Sequence, residues 1–180
     1  MALGCGAIRM VATITASLAF LGASGASAQN QGSTPQPQAE VVATHGDWEE
    51  RCIDLQGGER RCALVQMGTA ETQDVGARAL VTLTKGGEGG KETVARFEVP
   101  IGVYLPNGLG LKIDGKEYGG VPFQFCQPDR CTAIAVLSDE QAGALRAGQG
   151  ASLEFFADRQ RSIEVPISLM GVTAGLAALN

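Results

Sequence analysis

The segments RALVTLT (78–84), KGGEGGK (85–91) and TVARFEV (93–99) decide the fold class. The two outer segments are rich in β-branched and other apolar residues, which favour strands, and Val94, Phe97 and Val99 come at near-alternating positions. The glycine-rich segment between them is typical of the flexible loop at the tip of a hairpin. The stretch therefore predicts two neighbouring antiparallel strands.

Short runs of the same kind continue on both sides of this hairpin. They are separated by turn-forming residues, including Asn107-Gly108 and Asp114-Gly115, and Pro100, Pro122 and Pro166 suggest strand edges or starts. The further runs lie at 48–54, 61–67, 101–105, 109–113, 121–126, 131–137, 153–157 and 162–167. About ten short strands at regular spacing predict an all-β sandwich or barrel.

Two helical segments interrupt the strands. Ser138 and Gln141 form a capping box, which predicts a helix ending near Ala147 with Gly148 as its C-terminal cap. The second predicted helix is 169–179, where apolar residues share one face although Gly171 and Gly175 weaken the helix. We expect that face to pack across the sandwich. An exposed apolar face there would instead indicate a partner-binding helix.

Composition limits the classes of function. The 180 residues suit one domain, and 14 Lys and Arg against 19 Asp and Glu give a net charge of −5. An acidic balance argues against nucleic acid as a partner, because that role requires clustered basic residues. The single histidine, His45, cannot build a site with several histidines.

The first 28 residues have the features of a signal peptide. Arg9 precedes an apolar run from Met10 to Leu21, and Ala26-Ser27-Ala28 matches a signal peptidase site. The run is shorter than the roughly 20 residues of a membrane span, so an uncleaved anchor is the less favoured alternative. Residues 29–40 are polar and predict a flexible leader, followed by a folded domain over 41–180. We therefore expect an exported chain without a transmembrane span in its mature form.

Four cysteines remain after Cys5 leaves with the signal peptide: Cys52, Cys62, Cys126 and Cys131. An even count in an exported chain indicates disulfides, and four cysteines allow three pairings. We favour Cys52–Cys62 and Cys126–Cys131, because each interval contains turn-forming residues that bring its flanks together. The C-x9-C and C-x4-C spacings are not those of zinc knuckles or of a C-x-x-C redox motif, although a zinc site remains the alternative.

The remaining candidates for chemistry have structural explanations. His45 adjoins the leader, and we expect it to be solvated. Glu49 and Glu50 should point to opposite faces of a strand, and Asp139-Glu140 suits a helix N-terminus. Trp48 is predicted to anchor the core, the alternative being an exposed recognition residue. The sequence therefore predicts no catalytic, cofactor-binding or metal-binding residues and no cofactor.

Several motifs together resemble the invasion-associated locus B family of exported bacterial proteins, over Gly46 to Leu179. The motifs are Gly46-Asp47-Trp48 with Cys52 and Cys62, PIGVYL (100–105) with Gly108 and Ile113-Asp114-Gly115, Pro122-Phe123 with Cys126 and Cys131, and PISLMGVTA (166–174), in which Val172 replaces the usual aromatic residue. The resemblance implies a signal peptide, an immunoglobulin-like β-sandwich and two disulfides. The family has no established catalytic residues, so none are carried over.

These observations predict an exported, non-enzymatic envelope protein that acts through protein–protein contacts and that in some relatives supports host-cell invasion. We expect a periplasmic, surface-associated or secreted location and a protein partner in the envelope or on a host cell. The alternatives are a periplasmic accessory or chaperone-like factor and an envelope hydrolase. A hydrolase would require a deep pocket with converging ionisable groups.

Overall fold

The computed structural model describes residues 38–70 and 77–179 of the chain. The predicted signal peptide (1–28) and residues 29–37 of the predicted leader lie outside the described residues. The described chain forms eleven strands in two antiparallel sheets, together with two short helices. Buried side chains from both sheets form one core, so the predicted all-β sandwich is confirmed.

One sheet has seven strands in the order β1-β2-β3-β4-β5-β9-β8, and the other has four in the order β11-β10-β6-β7. The strands are β1 (Glu40–His45), β2 (Trp48–Asp54), β3 (Arg60–Ala70), β4 (Ala77–Gly86), β5 (Glu92–Pro100), β6 (Leu109–Ile113), β7 (Lys116–Val121), β8 (Phe123–Cys126), β9 (Arg130–Leu137), β10 (Gly150–Phe156) and β11 (Ser162–Ser168). Most neighbours in each sheet are consecutive in sequence, because short turns join antiparallel strands directly.

Most predicted strands are confirmed, and the errors have local causes. The run 101–105 is not a strand: the chain bends at Gly102, whose φ is +91°, and a 3-10 turn follows at Leu105–Asn107. Strand β1, which includes Glu40 and is held by its pairing with β2, was not predicted. Strand β7, which the Asp114-Gly115 turn pairs with β6, was not predicted either.

Trp48 lies in the core, as predicted. Its side chain is 1% exposed, and its Nε1 donates a hydrogen bond to the Ser168 carbonyl oxygen at 3.0 Å. The buried Gln66 reinforces the same junction: Nε2 donates to the carbonyl oxygens of Asp47 and Ser168, each at 3.1 Å, and Oε1 accepts from Ser168 N at 2.9 Å. These bonds join the start of the seven-stranded sheet to the end of β11.

The two helices cover one end of the sandwich. Helix α1 (Asp139–Ala147) has the predicted capping box, with Ser138 Oγ accepting from Gln141 N at 3.2 Å. Helix α2 (Val172–Ala178) begins later than predicted, because Gly171 takes a left-handed conformation at its N-cap. Its apolar residues Val172 and Leu176 are buried, as expected for packing across the sandwich.

The structure pairs Cys52 with Cys62 and Cys126 with Cys131, the local scheme among the three possible ones. In each pair the two cysteines lie directly opposite on adjacent antiparallel strands: Cys52 on β2 faces Cys62 on β3, and Cys126 on β8 faces Cys131 on β9. Each disulfide therefore fixes the register of one hairpin.

We expect the Cys52→Ala/Cys62→Ala variant to lose about 3 kcal/mol of unfolding free energy, because the bridge closes a loop with a sequence separation of 10. The shorter Cys126–Cys131 loop, with a separation of 5, should contribute about 2 kcal/mol in the matched double variant. Urea denaturation measures both values. A larger loss for the shorter loop would contradict the chain-entropy explanation.

Candidate functional site

The seven-stranded sheet has one face in the core and one face away from it, which we call the outer face. It consists of the strand residues that alternate with the core-facing ones, because successive side chains on a strand point to opposite faces. The strand register places Val65, Thr82, Arg96 and Ile134 in one row across β3, β4, β5 and β9. Neighbouring rows have the same mixed character, with aliphatic, threonine and arginine side chains.

Exposed apolar side chains concentrate on the outer face. Nine large apolar side chains are exposed in the part of the chain that the structure describes. Five of them belong to this face: Val41, Met67, Phe125, Ile134 and Val136. Val136 is 58% exposed, although it lies within a strand. Ile134 and Val136 are successive outward residues of β9, and Phe125 lies on the adjacent β8. Apolar side chains that lie together in this way indicate an interaction site.

The strand residues of the same face carry more positive than negative charge. Its described strand residues include the five arginines 51, 61, 78, 96 and 130 and the three glutamates 49, 92 and 98, an excess of two positive charges. The whole chain has a net charge of −5. Within these strands the outer face contains no lysine. The cationic character of the face therefore comes from guanidinium groups alone.

Ion pairs organise several of these arginines. Glu98, 9% exposed, accepts hydrogen bonds from Arg96 Nη2 at 2.7 Å and Nε at 3.2 Å, and Arg130 Nη1 lies 3.6 Å from its other oxygen. Arg130 also donates to Asp129, and this hydrogen bond lowers the pKa of the Asp129 carboxyl. This lowered pKa makes the Asp129 carboxyl a poor candidate for general acid catalysis.

Two depressions lie on the outer face. A groove of about 590 Å³ crosses its centre, with a floor of aliphatic and threonine side chains. A cleft of about 220 Å³ lies at one end, lined by Arg78, Arg130, Glu98 and Asp129 together with apolar residues. Glu98, Asp129 and Arg130 of the cleft form the ion pairs described above, and neither lining includes a serine, a histidine or a free thiol.

Comparison with known proteins identifies the family. The sequence profile of the Invasion associated locus B (IalB) proteins matches residues 48–180. The chain belongs to the IalB family. It is 29% identical to invasion protein B homologs of Brucella abortus, strains 2308 and 9-941, over 145 residues that cover 80% of this chain and 82% of each relative.

A solved IalB-family structure shares the fold. The crystal structure of invasion associated protein B from Bartonella henselae superimposes with a TM-score of 0.62, covering 78% of this chain and 92% of that one, at 20% sequence identity. The resemblance inferred from the motifs is therefore confirmed for both family and fold. None of the helices in the described part of this IalB chain is long and apolar enough to cross a membrane.

The residues considered for chemistry in this IalB protein do not converge. Glu49 lies on the outer face and pairs with Arg51 at 2.6 Å, whereas Glu50 lies on the opposite side of β2. The expectation of a solvated His45 is wrong: its side chain is only 19% exposed, and Nε2 lies 2.9 Å from Glu50 Oε2. Packing of α2 beside β1 explains the shelter, because the β1–β2 hairpin is part of the sandwich.

Two further clusters have structural roles. Asp139 and Glu140 occupy the first turn of α1, and a 2.7 Å ion pair with Lys116 lowers the pKa of Glu140. Glu50 lies near the sulfur atoms of Cys52 and Cys62, with ligand atoms within 4.8 Å of one another. The two sulfur atoms are bonded to each other, so they offer no thiolate to a metal ion.

Sequence reasoning missed the outer face. Its signal is present in β3, where Arg61, Ala63, Val65 and Met67 occupy every second position. The same spacing recurs in β9 with Arg130, Thr132, Ile134 and Val136. Only the strand order shows that the two sets lie on the same sheet face, with β4 and β5 between them, because β9 pairs with β5 after the chain has formed β6 and β7 in the other sheet.

Proposed function

We propose that this IalB-family protein is an exported, non-enzymatic envelope protein that binds a protein partner through the outer face of the seven-stranded sheet. The observation that carries the proposal is the coincidence, on one sheet face, of five exposed large apolar side chains and five arginines. Seven strands about 4.8 Å apart make the face roughly 29 Å wide, and a ten-residue strand is about 33 Å long. An interface of about 800 Å² per partner fits within this area.

The composition of the face favours a protein partner over a membrane. Arginine and methionine are enriched in protein interfaces and lysine is depleted, which matches a face with five arginines and Met67. Membrane-bound surfaces use tryptophan and tyrosine at the headgroup level. Trp48 is buried in the core, and Tyr104 and Tyr118 lie outside the seven-stranded sheet.

Export is supported by the signal-like residues 1–28 and by the two disulfides, since disulfides persist in oxidising compartments. We propose a periplasmic or surface-associated location on this basis. The names of the Brucella relatives refer to invasion. By extension, the partner belongs to the bacterial envelope or to a host cell.

A binding role fits the chemistry better than hydrolysis does. The cleft on the outer face holds carboxylates already paired with arginines, and the hydrogen bond from Arg130 lowers the pKa of the Asp129 carboxyl. A hydrolase requires a group that can exchange protons near its working pH. An interface, by contrast, uses such ion pairs to fix the geometry of its arginines.

The test replaces Val136, one of the exposed apolar residues of the proposed interface. We expect Val136→Asp to lower the amount of partner recovered with the protein from native envelope at least tenfold, because a carboxylate would be desolvated at the contact. Ser162→Asp, exposed on the four-stranded sheet, is the matched control and should retain the partner. Equal recovery with both variants, at unchanged melting temperatures, would contradict the proposal.

A further inference from the structure

The groove at the centre of the outer face has an unusual charge pattern. It crosses five adjacent strands, β2, β3, β4, β5 and β9, and has a volume of about 590 Å³. Its floor includes Val65, Leu80 and Thr82. Three arginines line the groove: Arg51, Arg61 and Arg96. Among the described residues, no carboxylate lines it. Apolar contacts and cationic groups are therefore offered together in one depression.

The three arginines keep donors available for a ligand. Arg51 pairs with Glu49 at 2.6 Å, Arg61 with Glu59 at 2.8 Å, and Arg96 with Glu98 at 2.7 Å. A guanidinium group has five N–H donors in a fixed fork, and each of these pairs uses only part of the set. The carboxylate partners orient the arginines, and the remaining N–H groups can bind further carboxylates.

The dimensions of the groove match a short extended peptide. Five strands about 4.8 Å apart span roughly 19 Å, the length of about six extended residues at 3.3 Å each. The arginines of β2 and β3 lie at one end of this path, and Arg96 of β5 lies toward the other. Hydroxyl groups of Thr82 and Thr84 on the floor suit a peptide backbone better than an acyl chain, which needs an enclosed apolar cavity.

We propose that the groove binds an extended acidic segment of a protein partner, about six residues long, with aliphatic side chains at its centre and carboxylates toward both ends. This inference rests on the proposed function and specifies the chemistry of the partner. The aliphatic centre covers Val65 and Leu80, and the carboxylates accept hydrogen bonds from Arg51 and Arg61 at one end and from Arg96 at the other. Charge complementarity with the three arginines that line the groove gives the partner its acidic character.

The probe is the labelled peptide acetyl-Glu-Glu-Val-Leu-Val-Glu-Glu-amide, titrated into the full exported chain with both disulfides formed. Fluorescence anisotropy should show saturable binding that weakens about tenfold in the Arg51→Gln/Arg61→Gln variant, since two ion pairs are lost. Both side chains are well exposed, so the variant should fold. The matched Arg159→Gln/Arg161→Gln variant, in the loop between β10 and β11, should bind like the unaltered chain. Raising the salt concentration should weaken binding, because exposed charges are screened.

Three results would overturn the inference. The first is that a peptide with lysine in place of every glutamate binds as tightly as the acidic peptide. The second is that phosphatidylglycerol vesicles bind more tightly than the acidic peptide, in a way that depends on the arginines. The third is that a second copy of the chain occupies the groove, seen as a dimer that the peptide does not dissociate. The two proposals can fail separately. If Val136→Asp abolishes recovery of the native partner but Arg51→Gln/Arg61→Gln does not, the outer face is the binding surface and the proposal of an acidic segment is wrong.

Discussion

Replacing Trp48 with alanine is expected to lower the free energy of unfolding by about 3–5 kcal/mol, the range for truncating a large buried aromatic residue. The side chain is 1% exposed and fills the core between the two sheets. Its Nε1 also donates to the Ser168 carbonyl oxygen, so the substitution leaves a buried acceptor with fewer partners. Urea denaturation followed by far-ultraviolet circular dichroism measures the loss without relying on tryptophan fluorescence.

The Trp48→Phe variant separates packing from hydrogen bonding. Phenylalanine fills much of the same volume but has no N–H donor, so we expect a smaller loss of about 1–2 kcal/mol. If Trp48→Ala costs less than 1 kcal/mol, the tryptophan does not anchor the sandwich. The contact between Trp48 and the end of β11 would then contribute little to the free energy of unfolding.

The second large effect is expected from Gly171→Ala. Gly171 has a φ of +91°, and a Cβ at this position would lie 2.7 Å from Gly46 N and even closer to the His45 carbonyl oxygen. Both obstructing atoms belong to the backbone of the β1–β2 turn, which cannot move aside as a flexible side chain can. We expect a loss of at least about 3 kcal/mol, since backbone strain and steric overlap add. Thermal and urea denaturation measure it.

A matched glycine substitution controls for this result. Gly143 lies within α1, and nothing lies within 4 Å of a Cβ built there. Gly143→Ala should stabilise the protein by about 0.5–1 kcal/mol, because alanine favours the helix. The two Gly→Ala changes should therefore have opposite signs. A neutral Gly171→Ala variant would show that the β1–β2 turn does not need its close approach to the start of α2.

Local sequence signals predicted much of the fold. The bounds of β2 and β6 match the predicted runs, and the capping box at Ser138 sets the start of α1. The failures arose at strand pairings and bends that the composition of the segment itself does not indicate. β1 mixes apolar and polar residues without alternation and forms because it pairs with β2, and the apolar run 101–105 is bent at Gly102.

The candidate site was harder to predict than the fold. Alternation in β3 indicates which residues share a face, but it does not say which other strands lie beside them. The row from Val65 to Ile134 exists because β9 pairs with β5, although β6, β7 and β8 come between them in sequence. Likewise His45, taken for a solvated residue, is sheltered by Glu50 on the neighbouring strand.

Site-specific photo-cross-linking in living cells tests the central claim most directly. A photoreactive amino acid is placed at Ile134 on the outer face in one strain and at Glu164 on the four-stranded sheet in another, since both positions are exposed. We expect one discrete cross-linked protein from position 134 and none from position 164. The same adduct from position 164, with nothing captured at position 134, would contradict it.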